Sequence, residues 1–124
     1  MGEDSNITID ICERAGALLM LVEGEVDLWT SPRFREALAA AQASDAPSIV
    51  VDLDNVTFMD SSGLHMLVRS AVSDEMRHRL TVTRGSPQVR RLFDISGVRR
   101  YLSFTASPEP AVIPEPGSTT RAPR

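Results

Sequence analysis

The residues best suited to chemistry are Asp60–Ser61–Ser62–Gly63, a carboxylate and two small hydroxyls ahead of an apolar helical pattern. Asp and Ser are preferred helix N-caps and Gly eases tight turns, so the four residues read first as a helix start. One cap is enough, however, and here three capping-competent residues stand in a row. A helix N-terminus presents unpaired N–H groups and a partial positive charge, and so tolerates an added anion. A phosphoryl group on serine at that point would leave the fold intact while changing the charge and shape of the surface. Asp60 next to it would add like-charge repulsion against an acidic or close-packed partner. The chemistry this spacing favours is reversible phosphorylation of Ser61 as a binding switch.

A nucleophilic reading uses the same serine. His65 follows Ser61 by four positions, and helical side chains lean towards the N-terminus, which would bring the two together. A hydrolase also needs a residue to orient the imidazole, and a G-x-S-x-G elbow would be the usual carrier; the chain offers neither. His78, between Arg77 and Arg79, reads as solvated. Two histidines and one cysteine make no metal set, so no metal and no cofactor are expected. Glu25 and Asp27 read as loop carboxylates that meet a partner. Every basic residue is arginine. The missing lysine excludes a Walker A loop, a Schiff base and the lysine of a phospho-aspartate receiver.

The 124 residues suffice for one domain with its own core. A net charge of −4 argues against wholesale binding to nucleic acid or to an anionic membrane. The pairs Arg90–Arg91 and Arg99–Arg100 read as solvated faces. Cys12, the sole cysteine, falls in a strand-like stretch and reads as a buried thiol in a reducing compartment. The opening residues MGEDSN are no signal peptide, and the apolar run Ala17 to Val22 is too short to span a bilayer. The expected location is the cytoplasm.

These residues must be positioned by the elements around them. Ile7, Ile9 and Ile11 alternate with polar residues, predicting a half-buried strand. A turn at Glu13 to Gly16 leads to a second strand, Leu18 to Val22, making a hairpin. Thr30 or Ser31 then caps a helix with Pro32 in its first turn and Phe34, Ala37, Leu38 and Ala41 on its apolar face. Ile49 to Val51 reads as a buried strand, Asp54–Asn55 as a turn, and Val56 to Met59 as a second apolar patch. The helix after Ser61 carries Leu64, Leu67, Val68, Ala71 and Val72 at helical spacing. Leu80 and Val82 suggest a strand. Gly85–Ser86–Pro87 opens a third helix with Val89, Leu92 and Phe93 buried and Gly97 as its stop. Tyr101, Leu102 and Phe104 read as a last strand. The order predicts an α/β domain over residues 1–106, its mixed, mostly parallel sheet flanked by helices and begun by the hairpin. Residues 107–124 hold five prolines and read as a disordered tail. Trp29 is either core or an exposed anchor at the edge of the site.

Three segments together resemble the STAS domain of bacterial anti-sigma-factor antagonists. They are Gly24–Glu25–Val26–Asp27 with Thr30, then Phe58 to Leu64 around the Asp-Ser-Ser-Gly motif, then Ser86 to Gly97. The resemblance runs from about residue 7 to 105. It implies a STAS fold without catalysis of its own, and phosphorylation of Ser61 by a partner that is both serine kinase and anti-sigma factor. Unphosphorylated, such proteins bind that partner and free the sigma factor; a serine phosphatase acting on phospho-Ser61 resets them. It implies that Asp27 and the Glu25 loop belong to the partner-docking surface beside the motif; Trp29, Thr30, Asp60, Ser62, Gly63 and His65 are expected to complete that surface, on a protein expected to be a monomer when free. Three features depart from the family: His65 stands where a second glycine is usual, proline-rich sequence replaces a final helix, and Trp29 lies between Asp27 and the helix cap. Against the switch stands a constitutive scaffold of the same fold, indifferent to the state of Ser61.

Overall fold

The structure, a computed structural model, describes residues 6–105. Two strands, β1 (Ile7–Arg14) and β2 (Ala17–Val26), form an antiparallel hairpin. The chain continues through α1 (Ser31–Ala43), β3 (Ser48–Met59), α2 (Ser61–Val72), β4 (Leu80–Thr83), α3 (Pro87–Ser96) and β5 (Phe104–Thr105). The five strands lie in chain order, β1-β2-β3-β4-β5, and every pair after the first is parallel. Crossovers between parallel strands are right-handed. With strands laid down in one direction, that rule puts all three helices on one face.

The core lies under those helices. Leu18, Met20 and Val22 of β2, Ile49, Val51 and Leu53 of β3, and Val82 of β4 point to that face. Phe34 and Leu38 of α1, Leu64 and Leu67 of α2, and Val89 and Phe93 of α3 pack against them. Period 2 in the strands and period 3.6 in the helices therefore meet in one cluster. Replacing wholly buried Phe34 or Phe93 by alanine would cost about 3–5 kcal/mol.

Four local expectations are corrected. Asp54–Asn55 is no turn: β3 runs unbroken for 12 residues. Two register shifts against β2, between Leu21 and Glu23 and between Gly24 and Glu25, absorb one extra β3 residue each as bulges. The final strand is shorter than the sequence suggests, because Arg99–Tyr101 is a 3₁₀ turn. Cys12 is exposed rather than buried; it faces away from the helices on edge strand β1, opposite Leu19. Thr30 occupies the N-cap position of α1 without a side-chain capping bond, for reasons that belong to the site. The proline-rich segment 107–124 lies outside the described residues.

β3 outruns its neighbour, since β4 pairs only with Ile49–Val51. Beyond that point its free edge is satisfied by side chains. The Thr83 hydroxyl accepts from Leu53 N–H (2.8 Å), and Asp54 accepts from Gly85 N–H (3.0 Å). The Gln88 side chain on α3 then accepts from Met59 N–H (2.8 Å) and donates to Met59 C=O (3.1 Å). An amide side chain thus takes the place of a missing strand. At the other end of the sheet, the half-buried Arg79 guanidinium donates to the carbonyls of Gln42 (3.1 Å), Ser44 (2.9 Å) and Ala46 (2.8 Å). It closes the C-terminal end of α1, where carbonyls lack partners.

Candidate functional site

Parallel pairing of β2 with β3 sets Glu25 opposite Phe58 and Val26 opposite Met59. The loops leaving the two strands therefore emerge side by side at the carboxyl edge of the sheet, where α/β domains carry their sites. One loop is Asp27–Thr30; the other is Asp60–Ser61.

Asp60 is the cap of α2. Its carboxylate accepts from Ser62 N–H (2.8 Å) and Gly63 N–H (3.4 Å), and its own N–H donates to Val26 C=O (3.1 Å). The bond to Val26 ties the start of the helix to the end of β2. Ser61 is left as the first helical residue, exposed, and no hydrogen bond from its hydroxyl is found among the described residues. Ser62 is half-buried. Gly63 is buried because the helix lies directly on β2: a Cβ there would stand 2.5 Å from Val26 Cγ1 and 3.1 Å from Met59 Cγ. The glycine of the motif is required by packing.

The neighbouring loop is held by a reciprocal Asp27–Thr30 pair. The Asp27 carboxylate accepts from Trp29 N–H (2.9 Å) and Thr30 N–H (3.0 Å). The buried Thr30 hydroxyl accepts from Asp27 N–H (2.9 Å) and donates to Glu25 C=O (2.8 Å). That is why Thr30 does not cap α1: its hydroxyl is turned back into the loop. Gly24, just upstream, has φ +100°, and a Cβ on it would stand 2.1 Å from Asn6 O. Only glycine allows the chain before β1 to come close enough for Glu25 N–H to donate to Asn6 C=O (2.8 Å).

The loop so fixed presents apolar surface. Trp29 is 86% exposed and Leu28 66% exposed, and Phe58, beside Glu25 on β3, is also exposed. The structure therefore resolves Trp29 as exposed rather than core. Glu25, Asp27 and Asp60 are half-buried, and His65 is exposed on α2. No hydrogen bond joins Ser61 to His65 among the described residues. The sequence reading singled out Ser61 and its neighbours but missed Gln88, which anchors the last residue of β3 immediately before Asp60. It also left out Leu28 and Phe58, whose signal is an apolar residue beside each carboxylate loop.

The site thus sets an exposed serine at a helix N-terminus beside a carboxylate loop and solvent-facing aromatics. The STAS domain family model matches residues 8–111, and the chain belongs to that family. Over 95 residues it is 37% identical to the anti-sigma-B factor antagonist of Listeria monocytogenes, covering 75% of this chain and 83% of the relative. An anti-sigma factor antagonist from Mycobacterium paratuberculosis superposes with a TM-score of 0.72 at 29% identity, over 82% of this chain and 86% of that one. The Bacillus protein SpoIIAA has the same fold in both its unphosphorylated and its phosphorylated form. The TM-scores are 0.63 and 0.58, at 21% and 20% identity. They cover 79% of this chain in each case, and 88% and 91% of those chains. No described helix is long and apolar enough to cross a membrane.

Proposed function

We propose that this protein is a cytoplasmic anti-sigma-factor antagonist whose binding is switched by phosphorylation of Ser61. Unmodified, it binds an anti-sigma factor that is also its serine kinase, and the sigma factor is released. Phosphorylated, it lets go, and a serine phosphatase resets it. It has no catalytic activity of its own. The observation that carries this reading is the division of labour at the start of α2: Asp60 does the capping, which leaves the Ser61 hydroxyl exposed and free for modification.

Phosphate on Ser61 would meet the positive end of α2 on one side and the Asp60 carboxylate on the other. The helix tolerates the charge, whereas a partner fitted to a neutral serine does not. Leu28, Trp29 and Phe58 supply the apolar part of the docking surface; Glu25, Asp27, Asp60, Ser62 and His65 supply its polar rim. Thr30 and Gly63, both buried, shape that surface from beneath. The test is phosphopeptide mapping of the protein isolated from its native host and after incubation with ATP and the captured anti-sigma factor. A single phosphate on Ser61, absent from Ser61→Ala, is the expected result. Phosphate on Ser62 alone, or none in either sample, would overturn the assignment.

A further inference from the structure

The sheet has a second face, and its burial has no source among the described elements. Arg14, Cys12 and Asp10 of β1, Ala17, Leu19 and Leu21 of β2, Val50 and Asp52 of β3, and Thr81 and Thr83 of β4 alternate away from the helices. All three helices pack into the cluster on the other side. A bare sheet face leaves its central side chains partly open to water. Here Ala17 is 3% exposed, Leu19 4% and Val50 2%, and none of them belongs to the core cluster. Within a single chain, something covers the middle of this face.

We propose that the cover is the C-terminal segment, residues 106–124, with Ala111–Val112–Ile113 seated over Leu19 and Val50. The described chain ends at Thr105, paired with Thr83, so the segment starts at the β5 edge of this same face. From β5 to β2 is three strand spacings, about 14 Å. The six residues from 106 to 111 reach up to about 20 Å when extended. The only apolar triplet of the segment, Ala111–Val112–Ile113, therefore falls over the buried strip. Prolines at 108, 110, 114 and 116 flank it. They have no N–H to bury and favour an extended path, which suits a strap laid across a sheet without pairing to it. The N-terminal segment is a poorer occupant. It enters at the opposite edge of the sheet, on β1, where Asn6 meets Glu25, and carries Met1 as its sole large apolar residue.

Cys12 supplies a native probe, since it is the sole cysteine, is exposed, and lies opposite Leu19. With a nitroxide on Cys12 of the full chain, the amide signals of Val112 and Ile113 should lose intensity relative to the reduced label. The loss should persist on dilution with unlabelled protein. In the unlabelled full chain, Ile113→Asp should shift the methyl resonances of Leu19 and Val50. Unchanged tail intensities together with unchanged methyl shifts would overturn the proposal. So would broadening that arises only between separate chains, which would assign the strip to a second copy. None of these readouts depends on Ser61 or on any anti-sigma factor.

Discussion

At the scale of single residues, the site separates side chains that hold its shape from one whose hydroxyl takes no part in holding it. Asp60 spends its carboxylate on two backbone N–H groups, whereas Ser61, one position later, spends nothing. Asp60→Ala should therefore lower stability by about 0.5–2 kcal/mol, the usual cost of a lost N-cap; Ser61→Ala should leave the denaturation midpoint nearly unchanged. Equal losses in the two variants would show that the serine shares the capping. Trp29 is so exposed that Trp29→Ala should also be neutral in thermal unfolding, yet weaken anti-sigma-factor binding by about 2 kcal/mol or more, as for a central aromatic anchor. Titration of the captured partner would read this out, and unchanged affinity would remove Trp29 from the interface. The tetrad itself was legible in the sequence, because capping preferences are local. The exposure of Trp29 was not, because it depends on how the Asp27–Thr30 bonds turn the loop outward.

At the scale of elements, the two loops of the site stay in register only if the end of β3 is fixed, and Gln88 fixes it from α3. Gln88→Ala leaves the Met59 N–H and C=O without these partners and should cost about 1–3 kcal/mol. Gln88→Glu, which can still accept from the N–H but cannot donate to the carbonyl, should be the less affected of the two in chemical denaturation. If Gln88→Ala is neutral, the edge of β3 is not held in this way. Arg79 does the same for α1: both Arg79→Ala and Arg79→Lys should destabilise, because an ammonium cannot reproduce a planar fork aimed at several carbonyls. Rescue by lysine would contradict that geometry. Helices and strands themselves were readable from Phe34–Leu38–Ala41 and Ile49–Val51, where periodicity is clean. The break wrongly expected at Asp54–Asn55 shows the limit of such reading. Those polar residues sit at a bulge and an exposed edge, where the Asp54 carboxylate accepts from Gly85 N–H thirty-one residues away, and no local pattern encodes a partner so distant.

At the scale of the whole molecule, progressive strand order places every helix on one side and both loops of the site at one edge. In the proposed switch, a phosphate on the Ser61 hydroxyl would change that edge while the core around Phe34 and Phe93 stays untouched. The central claim is that the charge on Ser61, and not the fold, decides whether the anti-sigma factor is held. The most direct test is capture from native-host lysate with Ser61→Ala and Ser61→Asp side by side, with thermal unfolding of both. The account predicts that the alanine form retains an ATP-binding anti-sigma factor and the aspartate form does not, at nearly equal unfolding temperatures. Capture of the same proteins by both forms, or unfolding of the aspartate form, would contradict it; equal capture would identify a constitutive scaffold.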